Sequence, residues 1–250
     1  MPSLTDLVPV PRNNNPGLNG TGNGLMLATL GNPRSNYDQR CRPVTLPSLR
    51  ARMVTEDVGP FRVTGLDSAV ASLRAVFVDV KAEQRAVFDA LSTAGLLCCR
   101  HVRGSRTAIS NHSWGTAIDL KINGQLDPRG DDKVQHGLTL IAPIFNRHKW
   151  YWGAGFPTED GMHFEVSRQL LESIAGAPAV SVDNDVVSVG ERGALVADLQ
   201  RKLNKAGETL DVDGIFGGDT LAAVRAFQAR NGLVPDGVVG QRTWNKLNAL

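Results

Sequence analysis

Two short fragments constrain this chain more than anything else in it. The first is Ser110-Asn111-His112-Ser113-Trp114-Gly115-Thr116-Ala117-Ile118-Asp119, and the second is Asp160-Gly161-Met162-His163-Phe164-Glu165. Together they offer two imidazoles and a carboxylate as ligands, and a spare carboxylate three residues before the second imidazole. Three protein ligands, a fourth position for water and a general base nearby are the parts of a catalytic metal site. A lone histidine in a polar run is more often solvated, and one beside Met162 and Phe164 is more often a hydrogen-bonded core residue. The joint pattern, specified at many positions and chemically coherent, outweighs both readings.

The local patterning suits such a site. Residues Ala117–Ile122 read as a strand, with Ala117, Asp119 and Lys121 on one face and Ile118, Leu120 and Ile122 on the other. Asp119 is thus a carboxylate inside an apolar run, facing away from its aliphatic neighbours. Gly115 gives the turn that brings His112 back towards it. Residues 162–166 also read as a strand, with His163 and Glu165 on one face. Two strands, each pointing a ligand into one cleft, would hold the metal on rigid elements.

These residues resemble the zinc peptidases that include D-alanyl-D-alanine carboxypeptidases and L-alanyl-D-glutamate endopeptidases of bacterial and phage origin. The resemblance covers roughly residues 96–166. It implies Zn2+ as cofactor, with His112, Asp119 and His163 as its ligands and Ser110 and Glu165 as groups that orient them. It implies Asp160 as the carboxylate that activates water and later protonates the leaving amine. The carboxypeptidase branch commonly has Glu at that position and several endopeptidases have Asp, which favours an endopeptidase. Glu159 is the neighbouring alternative, at a spacing that does not fit the pattern. The family also uses an upstream strand arginine at the developing oxyanion. Here a strand over residues 96–103 offers Arg100 or Arg103, on opposite faces, with Arg100 preferred. Trp114, Trp150 and Trp152 are candidates for substrate contact; in the run Trp150-Tyr151-Trp152 a groove wall competes with plain core packing.

A second module follows. Asp213-Gly214-Ile215-Phe216-Gly217, Thr220 and Val224 recur as Asp236-Gly237-Val238-Val239-Gly240, Thr243 and Leu247, at a constant offset of 23 residues. Each half reads as an Asp-Gly turn, an apolar pair, a glycine and a helix. Leu195, Leu199 and Leu203 mark a further amphipathic helix ahead of them. Asp211-Val212-Asp213-Gly214 begins like a calcium loop but lacks the downstream glutamate. The segment resembles the small three-helix peptidoglycan-binding domain. Its role would be to raise the local substrate concentration of a tethered enzyme.

The expected architecture is therefore α+β: a zinc DD-peptidase-like catalytic domain with a small antiparallel sheet (residues 1–176), a linker (177–187) and a three-helix peptidoglycan-binding domain (188–250). Residues 1–45, rich in Asn, Gly and Pro, read as an extended arm docked on the catalytic domain. Residues 68–97 give the clearest helical periodicity of the first half, through Val70, Leu73, Val76, Phe77, Val80, Val87 and Leu91. The polar loop 123–132 carries Asp127, Asp131 and Asp132 at spacings that match no calcium site. His136 and His148 are surplus to the metal set.

The expected substrate is peptidoglycan, cut at an amide bond of its stem peptide, first at L-alanyl-D-glutamate and alternatively at D-alanyl-D-alanine. A wall-binding protein without activity, or a structural zinc fold lacking the base, are the readings from other classes. A formal net charge of +2 argues against nucleic acid as a partner. No apolar run approaches the ~20 residues of a membrane span, and a monomer is expected. The N-terminus shows no basic segment followed by an apolar core, so delivery to the wall by phage lysis or non-standard export is expected. Cys41, Cys98 and Cys99, odd in number and without a Cys-x-x-Cys pair, read as free thiols.

Overall fold

The computed structural model describes residues 2–174 and 187–248; the expected linker falls almost wholly outside them. In chain order the elements are β1 (Leu7–Pro9), α1 (Asn23–Leu30), α2 (Pro47–Arg50), β2 (Met53–Asp57), β3 (Arg62–Leu66), α3 (Asp67–Glu83), α4 (Arg85–Ala90) and β4 (Leu91–Gly95). Then come β5 (Ala117–Ile122), β6 (Gln125–Leu126), β7 (Lys133–Gln135), α5 (His136–Arg147), β8 (Trp150–Trp152), β9 (His163–Val166) and α6 (Arg168–Ile174). The C-terminal helices are α7 (Ala194–Lys205), α8 (Gly218–Arg230) and α9 (Gln241–Asn248). Two compact units result. The first comprises Met1–Thr21, Pro33–Arg100 and Ser110–Gly176; the second comprises Gly22–Asn32, His101–Ile109 and Ala177–Leu250.

The first unit is built on an antiparallel sheet of order β4-β5-β9-β8, with β6 hairpinned onto β5. Asn123 (φ 49°) and Gly124 (φ 76°) make the β5–β6 turn, where Asn-Gly supplies both positive φ values. Alternation along β5 sends Ile118, Leu120 and Ile122 into the core, each fully buried. Beneath the sheet lie α3, through Val70, Leu73, Val76, Phe77 and Val80, and α5, through Leu138, Ile141 and Phe145. Phe145 links the layers: its ring lies 4.1 Å from that of Phe164 and 5.8 Å from that of Phe77, centroid to centroid.

The periodicity over residues 68–97 resolves differently from a continuous helix. Helix α3 stops at Gln84 (φ −135°), α4 adds a short helical segment, and the chain then enters β4. Leu91 pairs with Ile122 and Gly95 with Asp119, so sheet pairing overrides the helical spacing there. The strand expected over 96–103 is displaced upstream; that stretch makes only the isolated bridges Arg42–Cys99 and His101–Ile109 among the described residues.

The cysteines also differ from expectation. Cys41 and Cys98 form a disulfide, with Cα atoms 4.8 Å apart. Cys99 alone is free and buried, and burial pushes its thiol up to about 11. Adjacent residues on an extended chain point to opposite sides, so one thiol enters the core while its neighbour meets the arm. The reading of all three cysteines as free thiols is thereby corrected for Cys41 and Cys98 and holds for Cys99 alone.

The arm docks by hydrogen bonds. β1 pairs with β7. Asn15 donates to the Trp152 carbonyl and accepts from its N–H (2.9 and 2.7 Å). The Thr21 hydroxyl donates to the Val166 carbonyl at 2.7 Å.

In the second unit, Asn23 holds the 101–109 segment: its amide donates to the Ile109 carbonyl and accepts from the Ile109 N–H, both at 2.7 Å. Helices α7, α8 and α9 enclose a core of Val187, Val196, Leu199, Leu203, Phe216, Val224, Phe227, Val239, Trp244 and Leu247. The repeat carries a duplicated clasp. Gln200 donates to Asp213, the Ile215 carbonyl and Thr220, and Gln228 donates to Asp236, the Val238 carbonyl and Thr243. Each also accepts the N–H of the turn glycine, Gly214 or Gly237, at 2.9 Å.

Candidate metal centre

His112 lies in a single 3-10 turn, Asn111–Trp114, that Gly115 closes in the left-handed conformation (φ 66°). A side chain at Gly115 would also meet the Leu66 nitrogen at 2.7 Å, so this reversal requires glycine on two counts. The turn delivers the chain into β5, where Asp119 stands directly opposite His163 of β9. Opposed residues of antiparallel strands share a face. His163 and Asp119 meet because of this register, and His112 returns to them over the turn.

The three donors converge. Asp119 Oδ1 lies 3.2 Å from His112 Nε2 and 3.1 Å from His163 Nδ1. A ligand atom from each residue lies within 4.8 Å of the others. The remaining ring nitrogens are committed elsewhere. His112 Nδ1 donates to the Leu96 carbonyl at 3.0 Å, and His163 Nε2 donates to Glu165 Oε2 at 3.1 Å. These bonds fix both tautomers so that Nε2 of His112 and Nδ1 of His163 present lone pairs to the cluster, the usual support of metal-bound imidazoles. Glu165 is itself held, accepting from the Thr21 N–H at 3.1 Å and from the Asn111 amide at 2.8 Å. Two neutral imidazoles and one carboxylate with such support fit a Zn2+ ion and leave its fourth position open.

Electrostatics within the cluster are strong. Burial opposes the charge on Asp119, yet His112 and His163 beside it hold its carboxyl well below the usual range. Burial likewise opposes the charge on His163, but the hydrogen bonds to Asp119 and Glu165 outweigh it and raise the imidazole to about 10 in the metal-free protein.

Asp160 sits beside this cluster, three residues before His163 and joined to it by the His163 N–H to Asp160 carbonyl bond of 3.1 Å. Its own N–H donates to the Gly153 carbonyl, and a side chain at Gly153 would meet the Asp160 carbonyl at 2.6 Å and the His163 Cβ at 3.0 Å. Oδ1 is buried and has no hydrogen-bond partner, while Oδ2 lies 3.3 Å from Nε of Arg129. Burial raises the Asp160 carboxyl, opposed by His163 and Arg129.

Several expected residues take other places. Glu159, the alternative base, is a loop anchor: its carboxylate accepts the N–H groups of Gly130, Asp131 and Asp132 at 2.6, 3.2 and 3.3 Å. Ser110 acts through its backbone, with its N–H on the Arg100 carbonyl and its carbonyl accepting the Ser113 N–H. Arg100 is half-buried and its N–H donates to Ser113 Oγ at 3.1 Å, while Arg103 is exposed in the 101–109 segment.

The three tryptophans assigned to substrate contact are corrected outright. Trp114, Trp150 and Trp152 are all buried in the core. Trp152 stacks on Phe164 at 6.0 Å and its indole N–H donates to the Gly161 carbonyl at 2.7 Å. Their apolar area is used to fill the sheet–helix layer.

Residues missed in the sequence are Arg129, Thr21 and Asn111. Arg129 stands in a polar loop whose acidic residues drew attention to calcium instead. Thr21 and Asn111 reach Glu165 from distant positions in the chain, with no local signal.

Asp119 and His163 on an antiparallel sheet, His112 on the turn before it and a half-buried carboxylate alongside make a donor set that fits a zinc ion. Residues 103–166 match the D-alanyl-D-alanine carboxypeptidase family, and residues 192–247 match the putative peptidoglycan binding domain. The two matches lie one after the other along the chain. Over 70 residues it is 44% identical to an uncharacterized protein of Kitasatospora aureofaciens, covering 27% of this chain and 59% of that one. Over 67 residues it is 40% identical to the zinc D-Ala-D-Ala carboxypeptidase of Streptomyces albus G, covering 26% of each. Among solved structures, the Burkholderia AP3 phage endolysin shares 52% identity over 26% of this chain and 25% of its own, with a TM-score of 0.25. The chain therefore spans less than two thirds of the curated relatives it matches. Among the described residues, no helix is long and apolar enough to cross a membrane.

Proposed function

We propose that the protein is a zinc-dependent peptidoglycan peptidase, an endolysin that hydrolyses an amide bond of the stem peptide, first of all L-alanyl-D-glutamate. The observation that carries this reading is the convergence of His112 Nε2, Asp119 Oδ1 and His163 Nδ1 beside Asp160. The aspartate at the base position favours the endopeptidase bond; the D-alanyl-D-alanine bond is the alternative.

Zinc at this site would polarise the scissile carbonyl and lower the pKa of a water towards ~7. His112, Asp119 and His163 would hold it, and Glu165 and the Leu96 carbonyl would keep the imidazoles aimed. Asp160 would accept the proton of the attacking water at Oδ1 and return it to the departing nitrogen. Its raised pKa brings it closer to neutrality, where proton transfer in both directions is efficient. The proposed domain division is a peptidase within residues 1–176, of which Gly22–Asn32 and His101–Ile109 group instead with the second unit, and a module over residues 188–250 that binds the wall and raises the local concentration of the substrate.

The test is mass spectrometry of purified peptidoglycan digested with and without a zinc chelator. Chelator-sensitive release of stem peptides, with L-alanine left on the glycan, is expected. Loss of terminal D-alanine alone would move the assignment to the carboxypeptidase, and no metal-dependent product from several wall types would leave a binding protein.

A further inference from the structure

Arg129 sits on a loop that the active-site segment itself holds in place. Glu159 fixes the three backbone N–H groups that follow Arg129, and the next residue, Asp160, receives the Arg129 guanidinium. On the near side of Pro128, Asp127 is buried and accepts the Gln135 N–H at 2.5 Å. Two buried carboxylates thus clamp the loop on either side of one arginine. A guanidinium has five N–H donors in a planar fork. Arg129 turns Nε to Asp160 Oδ2, and 39% of its side chain is exposed.

The chemistry of the leaving group supplies the rest. In both candidate bonds the residue that departs bears a carboxylate on the carbon attached to the departing nitrogen. It is the α-carboxylate of a γ-linked D-glutamate in one case and the terminal carboxylate of D-alanine in the other. Asp160 delivers a proton to that nitrogen, so its ion-pair partner lies within one residue's reach of the carboxylate. Arginine is suited to two-pronged recognition of such a group. We propose that Arg129 binds the carboxylate of the leaving residue and selects stem peptides in which that group is ionised over those in which it is amidated. This rests on the peptidase reading above.

The test uses two synthetic stem peptides that differ only at that group, L-Ala-γ-D-Glu-L-Lys and its α-carboxamide counterpart, with the zinc-loaded full chain, Arg129→Ala and Arg129→Lys. The parent is expected to prefer the acid by about tenfold or more in kcat/KM, the range of a hydrogen bond to a charged group, mainly through KM. Arg129→Ala should erase the preference by bringing the acid down to the amide, and Arg129→Lys should restore part of it. Zinc content should be unchanged. A second readout needs no turnover: binding of the product γ-D-Glu-L-Lys to the zinc-free protein, followed by NMR shifts, should weaken by a similar factor in Arg129→Ala. A preference that survives Arg129→Ala, or equal slowing on both peptides, would overturn the proposal. If the parent cleaves neither peptide, the product-binding comparison still decides it: a loss confined to the free acid supports the carboxylate site, and no loss overturns it.

Discussion

Asp119 and His163 are direct cross-strand partners between β5 and β9, and one carboxylate oxygen of Asp119 lies 3.1 Å from His163 Nδ1. A register shift of one residue would turn either side chain to the opposite face of the sheet. The site is therefore tied to the same alternation that buries Ile118, Leu120 and Phe164. The packing of the core and the placement of two ligands are one structural decision, and only His112 depends on a separate device, the turn closed by Gly115.

Asp160→Ala should separate chemistry from binding. Its Oδ1 has no protein partner and its Oδ2 meets only the half-exposed Arg129 among the interactions described, so truncation leaves little stranded in the interior. We expect turnover to fall by about 10²–10⁴-fold, the usual weight of a general acid–base group. Zinc content, by atomic absorption, and peptidoglycan pull-down should match the parent. Parental turnover in this variant would remove Asp160 from the mechanism.

Zinc affinity should fall as pH falls. In the metal-free protein His163 is raised to about 10 by Asp119 and Glu165, so at neutral pH the imidazole carries a proton that zinc must displace. Below that pKa the apparent affinity should drop by roughly tenfold per pH unit for one displaced proton, readable by chelator competition at pH 6, 7 and 8. The metal-free fold should show the opposite trend. A group whose folded pKa is raised contributes stability that is full below its unfolded value of ~6.5 and is lost as pH rises through the folded value. Thermal melts in chelator should therefore show this contribution fading between about pH 7 and 10. A zinc affinity that is flat in pH would contradict the protonation of His163.

Much of this site was legible in the sequence because its signals are local. The spacing within residues 110–119 and 160–165, the alternation around Asp119 and the Asp-Gly repeats each lie within a few residues of one another. The parts that escaped are those fixed by tertiary contact. Trp150 and Trp152 look the same in sequence whether they line a groove or fill a core, and only the stacking of Trp152 on Phe164 and the edge-to-face contact of Trp150 with Phe145 decide it. Leu91 continued a helical spacing that pairing with Ile122 overrode. Arg129 had no motif at all, since its role is defined by a loop that Glu159 folds back onto Asp160.

Loss of the Cys41–Cys98 bond should reach the metal. Cys98 donates its N–H to the His112 carbonyl at 3.0 Å, and Leu96, two residues earlier, accepts from the His112 ring. The disulfide thus tethers the extended segment that aims His112 to the arm at Cys41. Cys41→Ser should lower stability by about 2–5 kcal/mol, seen as a lower Tm. Zinc affinity should fall with it, by about 10–100-fold if the support of His112 slackens. Dithiothreitol should reproduce both effects in the parent and neither in the variant. Unchanged zinc affinity in a variant with a lowered Tm would confine the bond to global stability.

The glutamine clasps of the second unit should be as consequential as its apolar core. Gln228 is buried; its amide donates to Asp236, the Val238 carbonyl and Thr243 while accepting from Gly237. Gln200 repeats this set around Gly214. Both glycines have positive φ, 81° and 70°, so each turn needs its glycine and a partner for the N–H that this conformation directs inward. Gln228→Leu keeps side-chain volume but leaves the Gly237 N–H without its acceptor and the Val238 carbonyl with only the Thr243 hydroxyl, at 3.4 Å. An unsatisfied buried polar group costs about 1–3 kcal/mol, so the variant should destabilise the module by about that much while leaving the metal-site residues intact. The expected outcome is weakened peptidoglycan pull-down and slower digestion of intact wall, with kcat/KM on a short soluble peptide unchanged. Equal slowing on wall and on soluble peptide would mean that the module acts on catalysis itself and not through local concentration.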